Sequence, residues 1–476
     1  MKEVMPKMLT ARKKEFSDWF NQVLFLAEII DKRYVVKGTA VWLSYGYEAM
    51  LRIKAIWDKI FKENGYKELY FPLLVPLEYA KQNDKWWKGF KEQAFWVRGG
   101  EKSEEEWILR PTGEPAMYPM FKLWIRSHND LPIKIYETVS SFRYETKHTR
   151  PIIRDREILV WHEIHTVHAT KEEADTEVEI HQKMWDELWK LLGIFPLKVK
   201  KPEWECFPGA VGAIEYYNLM PNGKAMENGS VNHLGQAYAK KFNIKFKDVD
   251  GKEKYVWQTC TGNGARLLAA VIGIHGDDRG LLLPPSIAPI QVVIVPIIMK
   301  GKEKEIVMKC EEVLSKVKNE FRVEFDKREY HPGYKYAEWE IKGVPIRIEI
   351  GPQEVKRKEV VVFRRDTLER ETIKEEELKS FLRKTLDRIQ KSMYEKAKEF
   401  LLNGIKEAES TEEMIKIIRH KQIAKVSWCG SGECWDEIKT KEEGIELFGT
   451  GLKEEKGKCI VCGKHSKEKG YVAKTY

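Results

Sequence analysis

The sequence predicts an α+β protein in three parts: an antiparallel sheet with helices packed on it, a separate α/β domain, and a cysteine-bearing tail. Three observations carry this. Strand-like runs at Ile133 to Val139, Glu157 to Trp161 and Ile272 to Leu283 are separated by long helical stretches such as Lys171 to Leu192, a mixture that suits helices on an antiparallel sheet. Beyond Pro284-Pro285 the order becomes strand, helix, then three strands, which marks a new α/β unit. Four of the seven cysteines crowd into the last fifty residues.

Each element has a local reason. From Gly46 to Glu63, Tyr47, Met50, Leu51, Ile53, Ile56, Trp57, Ile60 and Phe61 recur at helical spacing, and Asn64-Gly65 supplies a stop. Leu69 to Val75 is a short apolar run with Pro72 inside it, which demotes it to an edge or interface strand. A helix followed by an edge strand suits a dimer contact. Gly262-Asn263-Gly264-Ala265-Arg266 opens an apolar helix, Leu267 to Ile274. The α/β unit, roughly 288 to 390, comprises strand Gln291 to Ile298, helix Glu303 to Glu320, and strands Arg322 to Phe325, Ile346 to Ile350 and Glu359 to Arg364. A charged helical stretch, Ile373 to Lys406, leads into the tail.

Composition sets the outer bounds. With 476 residues, 42% of them hydrophobic and 33% charged, the chain has room for about three domains and is neither a membrane protein, a collagen-like fibre nor mostly disordered. Its longest aliphatic stretch, Val292 to Met299, is broken by Pro296 and is far short of the ~20 residues a span needs. Met1 to Lys7 carry no secretory signal, so a cytoplasmic protein is expected. The +9 net charge suits a polyanionic partner but also an ordinary solvated surface. Seven cysteines, an odd number, read as reduced thiols plus one metal site.

The chemistry-bearing residues fall into four groups. Cys429 and Cys434 have four residues between them, and Cys459 and Cys462 two, flanked by Gly430, Gly432 and Gly463. Such spacings suit tetrahedral Zn²⁺, and a closed four-thiolate site is structural, the alternative being unpaired buried thiols. Arg143, Arg150, Arg154 and Arg156 crowd between two short strands, where guanidinium forks could meet phosphate oxygens; a salt-bridged solvated hairpin is the alternative. Arg110-Pro111-Thr112-Gly113-Glu114 sets a hydroxyl and a carboxylate on a turn where they could hold an ammonium group, or cap a helix. Arg266 stands at a helix N-terminus, where backbone N–H groups favour phosphate, or where a glycine turn simply ends.

Taken in order, these motifs resemble a class II aminoacyl-tRNA synthetase, the prolyl-tRNA synthetase of the archaeal and eukaryotic type. The resemblance spans nearly the whole chain. Its carriers are Lys37-Gly38, Tyr45-Gly46, the helix with Pro72 as motif 1, Arg110 to Glu114, Phe142-Arg143-Tyr144-Glu145 as motif 2, and His233-Leu234-Gly235-Gln236. Trp257-Gln258-Thr259-Cys260, Arg266 of motif 3 with His275 to Gly280, Trp339 to Pro345, Arg364-Arg365-Asp366 and Ala473 to Tyr476 complete the set.

The resemblance implies a class II antiparallel-sheet catalytic domain (1–286), an α/β anticodon-binding domain (287–390) and a small zinc-bearing α/β C-terminal domain (391–476). It further implies a homodimer, no membrane, and ATP, Mg²⁺, structural Zn²⁺, proline and tRNA as cofactors and partners. Between Glu145 and Arg266 there is no room for the large editing insertion of the bacterial type. Arg143 would bridge the α-phosphate and the amino-acid carboxylate, and Arg266 would hold distal phosphates or adenine; these two are the catalytic pair. Glu145, Arg154, Asp155, Glu227, Ser230 and Gly264 belong with the nucleotide. Thr112 and Glu114 match residues that hold the amino-acid nitrogen, joined in that pocket by Trp161, Glu163 and Asn232. Tyr336, Glu340, Lys342, Arg347, Arg364 and Arg365 could read unstacked anticodon bases. No protein nucleophile or dedicated base is required, since the transition state asks chiefly for placed cations.

Seven positions depart from the family pattern. Val211 follows Gly209-Ala210 where an acidic residue is usual, Glu215 and Tyr216 replace a small residue and a phenylalanine, and Glu227 and Asn232 replace Gln and His. Gly264 replaces a serine, and Ile164 a glycine or alanine. Gathered around one pocket, they suggest a reshaped site, and with it two alternatives to proline charging: a paralogue that charges a more polar amino acid, or a tRNA-binding relative that ligates nothing.

Overall fold

Helix Ser44–Glu63 buries Ala49, Met50, Ile53, Trp57, Ile60 and Phe61 along one stripe, as its spacing requires. In the computed structural model, which describes residues 8–101, 105–145 and 148–476, that stripe packs with helix Lys171–Leu191 and its buried Met184, Trp185, Leu188 and Trp189. Both cover one face of the main sheet. Residues 1–7, read above for a secretory signal, lie outside the described residues. Among those described, no helix is long and apolar enough to cross a membrane.

The main sheet has eleven strands. Its catalytic part runs, in spatial order, Leu197–Lys201, Gly212–Leu219, Lys224–Gly235, Trp257–Asn263, Glu157–His168, Ile133–Phe142 and Lys67–Glu68, antiparallel except at its last pair. Strands Ile405–Ala408, Ile423–Trp428, Glu468–Thr475 and Ile445–Thr450 extend the same sheet. The seam between the two parts is short: Thr450 opposite Lys200, and Lys224-Ala225 beside Lys474-Thr475. The tail therefore completes the catalytic sheet.

The α/β unit is a five-stranded sheet in the order Val323–Phe325, Val292–Pro296, Ile346–Ile350, Glu359–Arg364, Arg370–Lys374. The first three strands are parallel and the last two pairings antiparallel. Helix Glu303–Val317 covers one face through Ile306, Cys310, Val313 and Val317, while helix Pro332–Ile341 sets Trp339 and Tyr336 against the other.

Several sequence expectations are corrected. Ile272 to Leu283 is no strand: it is the end of helix Arg266–His275 and an irregular segment whose Leu281 and Leu283 N–H groups donate to Ile341 and Gly343. Gly276 to Gly280, with Asp278 and Arg279 exposed, interrupt the apolar run, so its first part closes a helix and its last part is a loop. Within Leu69 to Val75 only the end joins a strand, Leu74–Pro76. The stretch Ile373 to Lys406 divides into strand Arg370–Lys374 and helix Leu378–Asn403, so a boundary at 390/391 falls inside a continuous helix.

Candidate active site

The site lies on the face of the catalytic sheet opposite helix Lys171–Leu191. Period-two alternation sends Trp161, Glu163 and His165 to this face and His162, Ile164 and Thr166 to the other. Val160, in the left-handed region at φ 51°, sits where the register with Ile133–Phe142 shifts. A β-branched residue there is an outlier, and the bulge it makes sets which residues after it face the site.

The amino-acid end is built from carboxylates. Thr112 donates to Glu114, and Trp86 Nε1 donates to Thr112 Oγ1 at 2.9 Å; all three are buried. Glu137 and Glu163 stand opposite each other on neighbouring strands, a repulsive placement that Arg110 bridges, with its Nη1 on Glu137 and 3.4 Å from Glu163. Burial raises the Glu114 carboxyl above its usual range, and burial together with Glu114 pushes Glu163 up to about 8. Glu114, His165 and Cys260 offer ligand atoms within 4.8 Å of one another. His165 is held neutral by burial, at about 3, with the Tyr118 hydroxyl 3.0 Å from its Nδ1. Asn232 donates to Ser230 Oγ at 2.9 Å, and its own Oδ1 is buried without a partner. The pocket thus has acceptor oxygens with spare capacity, the environment a buried ammonium needs.

The nucleotide end is cationic. Arg143, Glu145, Arg154, Asp155, Glu227 and Arg266 line one cavity. Arg143 Nε donates to Pro111 O at 3.3 Å, and its guanidinium lies 4.9 Å from the Trp161 ring centroid. Burial and the neighbouring Arg266 both lower its pKa, the mark of two like charges converging where an anion belongs. Arg266 is seated by Ile153 O at 2.7 Å and by Glu227 Oε2 at 2.8 Å. Asp155, pushed up to about 8 by burial, accepts from the Ile152 N–H. Gly264 is demanded by space, because a Cβ there would lie 2.8 Å from Ile158 and 2.9 Å from Trp161. Trp161 and Arg143 stand where this end meets the carboxylate end.

Five of the seven departures do not line this nucleotide cavity, Asn232 among them because it stands at the carboxylate end. Tyr216 stacks on Trp185 at 5.1 Å, and Ile164 lies in the core on the helix side. Glu215 is taken up by Lys201 at 3.5 Å and Tyr217 at 2.7 Å, and Val211 is half exposed. The expected gathering around one pocket is therefore corrected to three positions, Glu227, Asn232 and Gly264. Residues adjacent in a strand point to opposite faces, which a linear reading of the segment merges.

Sequence reasoning missed Trp86, Glu137, His165 and Cys260, and left Tyr476 without a role. Tyr476 O accepts from Arg154 Nη2 at 2.9 Å, its hydroxyl accepts from Asn222 at 2.9 Å, and Arg150 and Lys224 lie 5.6 and 5.3 Å from its ring centroid. Two carried a usable signal: His165 lies two residues beyond Glu163 on the same strand face, and Cys260 closes the Trp257-Gln258-Thr259-Cys260 motif.

In the second domain Arg347 lies between the rings of Tyr336 (3.8 Å) and Phe363 (4.1 Å), and Arg364 pairs with Asp366. Glu340, Lys342 and Arg365, by contrast, also contact the catalytic domain. In the tail the four cysteine sulfurs lie within 4.8 Å of one another. Backbone N–H groups of Cys462 and Val461 hold the Cys459 thiol down to about 7 against its burial. That donor set fits a tetrahedral Zn²⁺.

Comparison with known proteins agrees with this division. Residues 95–275 match the class II tRNA synthetase core domain (G, H, P, S and T), 291–385 an anticodon-binding domain, and 411–476 the prolyl-tRNA synthetase C-terminal domain. A proline--tRNA ligase of Pyrococcus abyssi is 44% identical over 97% of this chain and 98% of its own, and one of Methanobrevibacter smithii 41% identical over 97% and 100%. The structure of Giardia lamblia prolyl-tRNA synthetase in complex with prolyl-adenylate superposes with a TM-score of 0.94 at 32% identity, covering 98% of this chain and 99% of that one.

Proposed function

Because this chain belongs to the prolyl-tRNA synthetases, we propose that its site joins proline to ATP across the Thr112–Glu114 pocket and the Arg143–Arg266 cavity, then passes the prolyl group to tRNA. The overall activity is ATP-dependent attachment of proline to tRNA through an aminoacyl-adenylate. The observation that carries the assignment of roles is Arg143, which lines the cavity it shares with Arg266 and bonds Pro111 O beside the buried Thr112–Glu114 pair.

Thr112, Glu114 and Glu163 take the proline ammonium, with Trp161 and Asn232 beside it. Arg143, at the junction, neutralises the proline carboxylate as it approaches the α-phosphate. Arg266 turns from Glu227 to the phosphates, and Glu145, Arg154, Asp155, Ser230 and Gly264 shape the nucleotide seat. These residues act by placement and charge, the main needs of phosphoryl chemistry. A Mg²⁺ ion bound with ATP would neutralise phosphate charge, and the carboxylates of Glu145 and Glu227 face the cavity where it would sit. Cys429, Cys434, Cys459 and Cys462 would hold a Zn²⁺ that stabilises the tail.

The same reading gives a catalytic domain at 1–286, an anticodon-binding domain from 287 through helix Leu378–Asn403 and a C-terminal domain beyond it, with an anticodon site around Tyr336, Arg347 and Arg364, a homodimer and a cytoplasmic setting. Relatives named as proline ligases along the full chain argue against a paralogue charging a more polar amino acid and against a non-ligating relative. Exchange of pyrophosphate into ATP, measured with each standard amino acid in turn, tests this. Exchange dependent on proline is expected, and exchange driven by another amino acid or by none overturns it.

A further inference from the structure

Three side chains expected at the anticodon site reach across to the catalytic domain. Lys342 Nζ lies 2.9 Å from Glu28. Arg365, buried, makes a two-pronged pair with Asp277 at 2.8 and 2.5 Å. Glu340 is shared: one oxygen accepts from Arg347 at 3.0 Å, the other from Arg279 at 3.0 Å, and its backbone O accepts from Arg365 Nε at 3.1 Å. A single carboxylate thus joins the stacked arginine of the second domain to the loop Asp277–Gly280 of the first.

That loop continues directly from helix Arg266–His275, whose first residue sits in the nucleotide cavity. Ten residues make a rod ~15 Å long, and its far end is clamped. Lys13 Nζ donates to Ile274 O at 2.8 Å and Trp19 Nε1 to Asp277 O at 2.9 Å. On the domain side the fit is equally close. Gly280 adopts φ 136°, and a Cβ there would lie 2.4 Å from Ile341 Cα, while Leu281 N–H donates to Ile341 O at 2.9 Å. Helix Pro332–Ile341 therefore cannot shift without moving the end of the Arg266 helix, since close-packed contacts transmit displacement.

We propose that Asp277 and Arg279 are positioning residues that couple occupancy of the anticodon site to the seating of Arg266. A base settling on Tyr336 displaces Arg347 beneath it, Arg347 draws on Glu340, and the share of Glu340 left to Arg279 sets the Asp277–Gly280 loop and the helix behind it. The inference rests on the proposed reading of the second domain as an anticodon reader.

The test is a cycle between protein and tRNA substitutions. The full chain, Asp277→Asn and Arg279→Gln are compared in steady-state prolylation of native tRNA(Pro) and of a transcript changed at the anticodon, with tRNA-free ATP–pyrophosphate exchange as control. In the unsubstituted protein the anticodon change is expected to lower kcat at least tenfold. In both variants that ratio shrinks at least threefold because the native tRNA loses kcat, while KM for tRNA and the tRNA-free exchange stay within twofold. Equal slowing of both tRNAs, or an anticodon effect confined to KM, overturns the coupling and leaves anticodon reading intact. Indifference of the unsubstituted protein to the anticodon removes the reading itself and the coupling with it. Arg279 is half exposed, so Arg279→Gln keeps the cycle measurable if Asp277→Asn fails to fold.

Discussion

Glu114 and Glu163 are buried beside each other, and burial favours their neutral forms. An incoming ammonium favours the carboxylates instead, so proline binding should release protons below about pH 8. Affinity should then rise with pH, by up to about tenfold per unit for one proton, and level off above the Glu163 value. Titration calorimetry in two buffers of different ionisation enthalpy reads this directly; identical observed heats would show that no proton moves. Thr112→Ala removes a hydroxyl that bonds Glu114 and accepts from Trp86. Hydrogen bonds to charged groups contribute about 1.5–3 kcal/mol, so kcat/KM for proline should fall roughly 10- to 100-fold with KM for ATP unchanged, measured by exchange kinetics.

At the scale of elements, the tail strands depend on their cysteine knuckles. Cys434 and Cys459 are part of the cluster that also buries Trp428, Trp435 and Val472, so removing the metal loosens the core beneath strands Ile423–Trp428 and Glu468–Thr475. Chelation or Cys459→Ser should take zinc from one equivalent per chain to none and lower Tm by several degrees, followed by metal analysis and thermal denaturation. A metal-free protein with the same Tm would contradict a structural role. Tyr476 links that tail to the nucleotide loop through Arg154, Arg150, Asn222 and Lys224. Tyr476→Ala keeps the main-chain O that Arg154 bonds but removes the ring and hydroxyl that hold it there against Arg150, Lys224 and Asn222, so it should raise KM for ATP about three- to tenfold while KM for proline holds.

At the scale of the molecule, helix Ser44–Glu63 and the segment after it expose Tyr47, Tyr70, Leu74 and Tyr79. The proposed homodimer would cover exposed apolar residues such as these. Sedimentation is expected to give roughly twice the 55.9 kDa of one chain, and Tyr70→Glu to return the monomer mass. A monomer at micromolar concentration without substitution would remove the dimer.

Sequence alone determined the local grammar. The periodic helices, the cysteine spacing, the turn at Arg110 to Glu114 that sets a hydroxyl beside a carboxylate, and the arginines at Arg143 and Arg266 were all legible, because each is a pattern among neighbours. Tertiary structure decided what depends on facing and on long-range contact. It put Ile164 in the core and His165 in the pocket by strand alternation reset at Val160, and on another strand it turned Tyr216 onto Trp185. It placed Tyr476 beside Arg154, 322 residues away in the chain, and it turned Arg365 and Lys342 toward the catalytic domain. It also merged the tail with the catalytic sheet. Which face a strand presents, and which remote side chain neutralises a buried charge, are set by the packing of the whole chain, and no window of neighbouring residues contains that information.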